Sequence, residues 1–216
     1  MIRVKICGIT RPEDAVAARE EGADYLGLVF APSRRQVDAV RAKLIVQSIP
    51  HFSKWVGVFV NTPREEILRL AETLGISYLQ LHGEESPEEC DFLSAKGFSV
   101  VKTHRIQDAS SFKQMENYTT PFVLFDSFSN TQRGGTGKAF NWHLLTRRVF
   151  SSRVFLSGGL SPEVLADALN FFIPFAVDVS SGVETIPGIK SREKIRAFIK
   201  EVRQISKHLE SERSNA

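Results

Sequence analysis

Val4-Lys5-Ile6-Cys7-Gly8-Ile9-Thr10 reads as a short buried strand that ends on a cysteine and turns at a glycine. Side chains alternate along a strand, so Lys5 and Cys7 share one face while Val4 and Ile6 share the other. An ammonium and a thiol on one face at a strand end suit the rim of an active site. Most free cysteines, however, are small buried hydrophobes. This stretch alone supports either reading, and the choice depends on what the other strand ends carry.

The plan of apolar run, polar turn and helical segment recurs along the chain. Further strands are read at Tyr25 to Phe30, Trp55 to Val60, Ser77 to Leu81, Phe98 to Lys102, Pro121 to Asp126, Arg153 to Ser157 and Phe175 to Val179. The intervening segments carry helix punctuation. Pro12 and Gly22 bracket one helix, and Thr62-Pro63-Arg64-Glu65 and Ser86-Pro87-Glu88-Glu89 each open another. Ile67, Leu70, Ala71 and Leu74 fall on one helical face that stops at Gly75. A short helix is expected over Asp108 to Met115, another around Trp142 to Thr146, and a long last one from about Ser191. Continuous apolar strands alternating with helices imply a parallel sheet covered by helices. Eight such units predict an α/β fold, a single-domain (β/α)8 TIM barrel over residues 1–209 with a polar C-terminal tail at 210–216. An open doubly wound sheet is the alternative. The barrel is preferred because the unusual residues all follow strand C-termini, which a barrel brings to one mouth.

Composition narrows the function. The chain has 216 residues, 42% of them apolar, and a net charge of +3 from scattered basic residues. It carries no nucleic-acid footprint, though a mildly basic surface suits an anionic substrate. Cys7 and Cys90 make no disulfide framework, and Cys90, on a helix, is read as packing. The N-terminus lacks an export-type apolar core and no apolar run reaches the length of a membrane span. A soluble cytoplasmic protein without membrane or nucleic-acid partners is expected. His51, His82, His104, His143 and His208 show no metal-like spacing, so no metal is expected.

The strand ends carry Cys7-Gly8, Arg34-Arg35, His82-Gly83, Asp126, Gly158-Gly159 and Ser180-Ser181-Gly182. Glycine lets the backbone approach an anion, and barrels commonly bind phosphate after strands seven and eight. Gly158, Gly159, Ser180, Ser181 and Gly182 are therefore candidate phosphate contacts. A third loop, Arg133-Gly134-Gly135-Thr136-Gly137-Lys138, lacks the nucleotide P-loop pattern because Ala139 follows the lysine. It is read as a loop that closes over substrate and adds contacts through Gly135 and Gly137. His82 either binds substrate or caps its loop. Asp178 faces inward on the eighth strand, next to the first, and is expected to pair with Lys5.

Together, Lys5-Ile6-Cys7-Gly8-Ile9-Thr10, Gln80-Leu81-His82-Gly83, Gly134-Gly135-Thr136-Gly137-Lys138, Leu156-Ser157-Gly158-Gly159-Leu160 and Val177-Asp178-Val179-Ser180-Ser181-Gly182-Val183-Glu184 resemble phosphoribosylanthranilate isomerase over essentially the whole chain. The resemblance implies a cofactor-free (β/α)8 barrel of tryptophan biosynthesis, a monomer or homodimer, acting on a small phosphorylated aminoaldose by Amadori rearrangement. It implies Asp126 as the general acid that opens the ring and Cys7 as the general base that takes the C2′ proton. Lys5 is the candidate cation to lower the thiol pKa. Arg35 matches the family's arginine for the anthranilate carboxylate, with Arg34 as the alternative because the loop is one residue shorter than in some relatives. Competing barrel enzymes fit less well. An indoleglycerol-phosphate synthase needs lysine and glutamate catalysts, a ribulose-phosphate epimerase needs metal ligands, and a binding-only sensor needs neither Cys7 nor Asp126.

Overall fold

The computed structural model describes residues 1–127, 142–146 and 148–214. Eight parallel strands close into one barrel in sequence order: β1 (Arg3–Cys7), β2 (Tyr25–Val29), β3 (Trp55–Phe59), β4 (Tyr78–Leu81), β5 (Ser99–Ile106), β6 (Phe122–Ser127), β7 (Arg153–Leu156) and β8 (Ala176–Val179). Closure is made by β1 against β8, where Lys5 stands opposite Asp178. The open-sheet alternative is excluded.

The outer faces of the strands, such as Val4, Ile6, Leu26 and Leu28, pack against the helices in the larger hydrophobic core. A second, smaller cluster fills the barrel: Tyr25, Val56, Val101, Phe122, Leu124, Phe155 and Ala176. Its rings meet edge to face, Tyr25 with Tyr78 at 5.3 Å and with Phe155 at 5.4 Å between centroids. Such pairs add to simple area burial and plug the lumen, leaving the C-terminal mouth for chemistry.

The helices described are α1 (Pro12–Glu20), α2 (Ala39–Gln47), α3 (Arg64–Leu74), α4 (Pro87–Ala95), α5 (Leu165–Phe171) and α6 (Arg192–Ser214). Ile67, Leu70, Ala71 and Leu74 are all buried, and α3 ends at Gly75 with φ of +66°, as an αL stop requires. Ser86 caps α4 by accepting from Glu89 N at 3.3 Å. At α3 the capping position is Pro63, without a side-chain bond, rather than Thr62. Elsewhere the structure departs from the plain repeat. The segments Ala109–Asn117 and Trp142–Leu145 are 3₁₀ turns. A short turn, Ser181–Val183, and a small hairpin, β9 (Glu184–Ile186) with β10 (Ile189–Lys190), intervene before the last helix. Residues 210–214, expected to belong to a polar tail, continue α6.

Candidate active site

Cys7 ends β1 opposite Gly27 of β2. A Cβ on Gly27 would stand 2.7 Å from Cys7 Sγ, so the thiol occupies space that only glycine leaves. Gly8 turns the chain with φ of +75°, and a Cβ there would meet Arg35 Cδ at 2.5 Å and Ser180 Oγ at 3.1 Å. The stem of Arg35 and the serine loop after β8 therefore close on the residue next to Cys7.

Arg35 donates through Nε to Glu184 Oε1 at 2.8 Å and through Nη2 to Oε2 at 2.7 Å. Lys190, fully buried, donates to the same Oε1 at 2.8 Å and to the Ser180 carbonyl at 3.1 Å. Burial alone would raise the Glu184 pKa, but the bonds from Arg35 and Lys190 outweigh it and hold the carboxyl below its ordinary value. Glu184 occupies the Nε side of the guanidinium. The Nη1–Nη2 end of the fork is left to receive a second planar carboxylate. Arg34 is exposed, so the geometry favours Arg35 over Arg34 for such contact.

Below the mouth, Lys5 is 1% exposed and donates to Asp178 Oδ1 at 2.9 Å and to Gln80 Oε1 at 2.8 Å. Burial lowers the Lys5 pKa, but the attraction of Asp178 and of Cys7 exceeds it, and the ammonium titrates above its ordinary value. Lys5 is only one of the influences on the Cys7 thiol. It acts to lower the thiol pKa, yet burial is the larger effect, and Asp178 opposes the lysine, so the thiol lies above its ordinary range.

Asp126 ends the inward face of β6, buried at 6% exposure and three strands from Cys7 by way of β8 and β7. His82 Nε2 approaches Asp126 Oδ2 at 3.3 Å, without the alignment of a good hydrogen bond. His82 Nδ1 lies 2.9 Å from Gln80 Nε2 and 3.3 Å from Thr103 Oγ1. The loop behind it is pinned. Glu85 accepts from Gly83 N and Asn61 N and pairs with buried Lys102 at 2.9 Å. His82 thus faces the mouth while its loop is capped by other groups. Beside it, a cavity of about 440 Å³ opens between the ends of β4 and β5, lined in part by Lys102, His104, Arg105 and Tyr118.

Gly158 and Gly159 both adopt positive φ, at +92° and +74°. A Cβ on Gly182 would run into the Leu160 carbonyl, so the loops after β7 and β8 are in direct contact. No long helix begins at either glycine loop, since α5 starts only at Leu165 and Ser181–Val183 is a single turn. Gly135 and Gly137 lie outside the described residues. Among the described residues no group of three His, Cys, Asp or Glu is placed to hold a metal, and no helix is long and apolar enough to cross a membrane. Cys90 is buried on α4, its thiol pushed by burial up to about 12.

A family model for N-(5′-phosphoribosyl)anthranilate (PRA) isomerase matches residues 4–201. The chain belongs to the N-(5′-phosphoribosyl)anthranilate isomerase family. The family's Pelobacter propionicus member is 42% identical over 201 residues, 93% of this chain and 95% of the relative. The crystal structure of phosphoribosyl anthranilate isomerase from Thermotoga maritima has a TM-score of 0.87 at 40% identity, covering 94% of this chain and all of that one. A further phosphoribosyl anthranilate isomerase structure, in complex with reduced 1-(o-carboxyphenylamino)-1-deoxyribulose 5-phosphate, has a TM-score of 0.84 at 39% identity, with the same coverage.

Four residues of this site were not singled out by sequence reasoning. Gln80 sits two positions before His82, on the same strand face, and Glu184 closes a quoted motif, so both carried a signal. Gly27 and Lys190 carried none. Gly27 matters only through its register with Cys7, and Lys190 lies in a hairpin that shows no strand-like alternation.

Proposed function

We propose that this protein isomerises N-(5′-phosphoribosyl)anthranilate to 1-(2-carboxyphenylamino)-1-deoxyribulose 5-phosphate, a step of tryptophan biosynthesis, by general acid/base catalysis in the cytoplasm. The observation that carries this reading is the convergence on one mouth of a buried thiol, a buried carboxyl and an arginine fork with a free end. Family membership supports it.

Asp126, as the acid, donates a proton to the furanose oxygen while the C1′–O bond breaks and the nitrogen lone pair forms the C1′=N double bond. Cys7, as thiolate, takes the C2′ proton, and the electron pair moves to C1′=C2′, neutralising the iminium to an enolamine. Protonation at C1′ and loss of the C2′ hydroxyl proton give the ketone, so the reaction is an isomerisation with no net redox change. Arg35 holds the anthranilate carboxylate through its Nη1–Nη2 end. Gly158, Gly159, Ser180, Ser181 and Gly182 receive the phosphate, with Gly135 and Gly137 as further substrate contacts. The partner is this small phosphorylated aminoaldose, met by a monomer or homodimer.

The test is rescue of a tryptophan auxotroph lacking this isomerase. Wild type restores growth, whereas Cys7→Ser and Asp126→Asn fall short of it. A well-expressed wild type that gives no growth refutes the activity. Undiminished rescue by both variants overturns the acid and base while leaving the reaction in place.

A further inference from the structure

A continuous chain of contacts runs beneath the mouth from Asp178 through Lys5, Gln80 and His82 to Asp126. Its hydrogen positions follow from donor and acceptor inventories. A lysine ammonium only donates, so the Gln80 atom 2.8 Å from Lys5 Nζ has to be the carbonyl oxygen. The other end of the amide is then NH₂, which also only donates. It faces His82 Nδ1 at 2.9 Å, so Nδ1 is the unprotonated nitrogen. Thr103 Oγ1, 3.3 Å from Nδ1, accommodates this because a hydroxyl rotates to donate. The proton of the neutral ring is therefore on Nε2, the nitrogen that faces Asp126 Oδ2 at 3.3 Å.

We propose that Gln80 is a positioning residue that locks His82 in the Nε2–H tautomer, so that His82 steadies the Asp126 carboxylate formed when the acid gives up its proton. The proposal rests on Asp126 being the acid of the preceding section. No proton leaves the histidine. The ring presents a fixed N–H where negative charge develops, and the alignment lacking without substrate tightens as that charge appears. A proton on Nδ1 would point at the Gln80 NH₂. Lys5 acquires a role here as well: paired with Asp178, it stays charged and fixes which way the Gln80 amide points.

The decisive measurement is the tautomer of His82 by long-range ¹H–¹⁵N correlation of histidine-labelled, ligand-free protein near pH 7, with His82→Gln used to assign the signal. Wild type gives the Nε2–H pattern. Gln80→Glu places an acceptor at Nδ1 and converts the ring to Nδ1–H or to imidazolium. It lowers kcat by roughly 10- to 100-fold, less than the roughly 10²- to 10⁴-fold typical of the acid or base itself, with KM changed by less than about threefold. An Nδ1–H wild-type ring overturns the proposal, and so does a Gln80→Glu protein whose ring switches while kcat stays within about twofold of wild type. If Gln80→Glu does not fold, the wild-type spectrum alone decides. Asp126→Asn is assayed alongside. Full activity there removes the acid assignment, whereas the tautomer is read independently of activity, so the two failures are distinguishable.

Discussion

Replacing Lys5 with methionine tests the buried centre of the barrel most directly. Methionine keeps most of the stem, so packing inside the barrel is little disturbed and the loss is electrostatic. Lys5 Nζ stands 2.9 Å from Asp178 Oδ1, with side-chain exposures of 1% and 7%. Removing one partner of a pair this buried leaves a carboxylate uncompensated, at about 3–5 kcal/mol. That is a large share of the 5–15 kcal/mol typical of a domain. For a chain of this length it corresponds to a fall in Tm of about 6–20 °C. Asp178→Asn strands the ammonium instead and is expected to destabilise by a comparable amount. The double variant Lys5→Met/Asp178→Leu removes both charges and recovers to within about 2 kcal/mol of wild type, because well-packed apolar replacements of buried pairs are often neutral.

The assay is equilibrium urea unfolding followed by the fluorescence of Trp55, which is buried at 1% exposure against the outer barrel wall. Because the Lys5 pKa is raised above 10.5, its stabilisation is complete below that pH and is lost only as pH climbs through the folded-state value. The coupling energy should therefore be the same at pH 7 and pH 9. A single-variant loss under about 1 kcal/mol refutes the reasoning, as does a double variant as unstable as the sum of the two singles.

Three further outcomes are expected. Alkylation of Cys7 by iodoacetamide in the ligand-free protein should have a pH midpoint above the ordinary thiol value of about 8.5, because burial outweighs Lys5; a midpoint below that value contradicts the site's electrostatics. His104, whose pKa burial and Lys102 lower to about 4, binds its proton more readily unfolded than folded between about pH 6.5 and 4. Stability should fall by up to about 3 kcal/mol across that window on acidification, and His104→Phe should flatten this part of the urea-denaturation profile. Glu184→Gln removes the charge that holds the Nε side of Arg35, so KM should rise by about tenfold with a smaller change in kcat; an unchanged KM separates Glu184 from substrate binding.

The barrel was legible because its evidence is local. Apolar runs such as Trp55 to Phe59, spaced by capped helices, announce a parallel sheet before any contact is known. What escaped was equally physical. The apolar pattern of β5 stops at Lys102, yet the strand continues through Thr103, His104, Arg105 and Ile106, because these residues form wall beside a polar mouth and cavity, where apolar patterning does not apply. The hairpin at Glu184 to Lys190 was missed because its short strands carry charges turned inward on Arg35 and Ser180. Cys7 and Asp126 could be found as polar residues closing apolar strands. Most of their surroundings could not, since Arg35 meets Glu184 across 149 positions, whereas the Lys5–Asp178 pair, 173 positions apart, follows from the closure of the eighth strand on the first.

Those long-range pairings also explain why Lys5 does not bring the Cys7 thiol below its ordinary value. From the sequence, Lys5 is a cation on the thiol's own strand face and should favour a thiolate. In the fold each neighbouring cation already has an anion: Lys5 has Asp178, while Arg35 and Lys190 share Glu184. Paired charges largely cancel at Sγ, so desolvation of the thiolate prevails and the thiol pKa lies above its ordinary value. On the proposed mechanism, ring opening then adds an iminium beside Cys7, a positive charge that, unlike Lys5, Arg35 and Lys190, is not already matched to a protein carboxylate. A thiolate favoured only after the acid has acted, with the thiol proton leaving to solvent, would put the two steps in order. The cations around Cys7 are then matched to anions for a reason beyond stability: an unpaired one would favour the thiolate before there is a C2′ proton to remove.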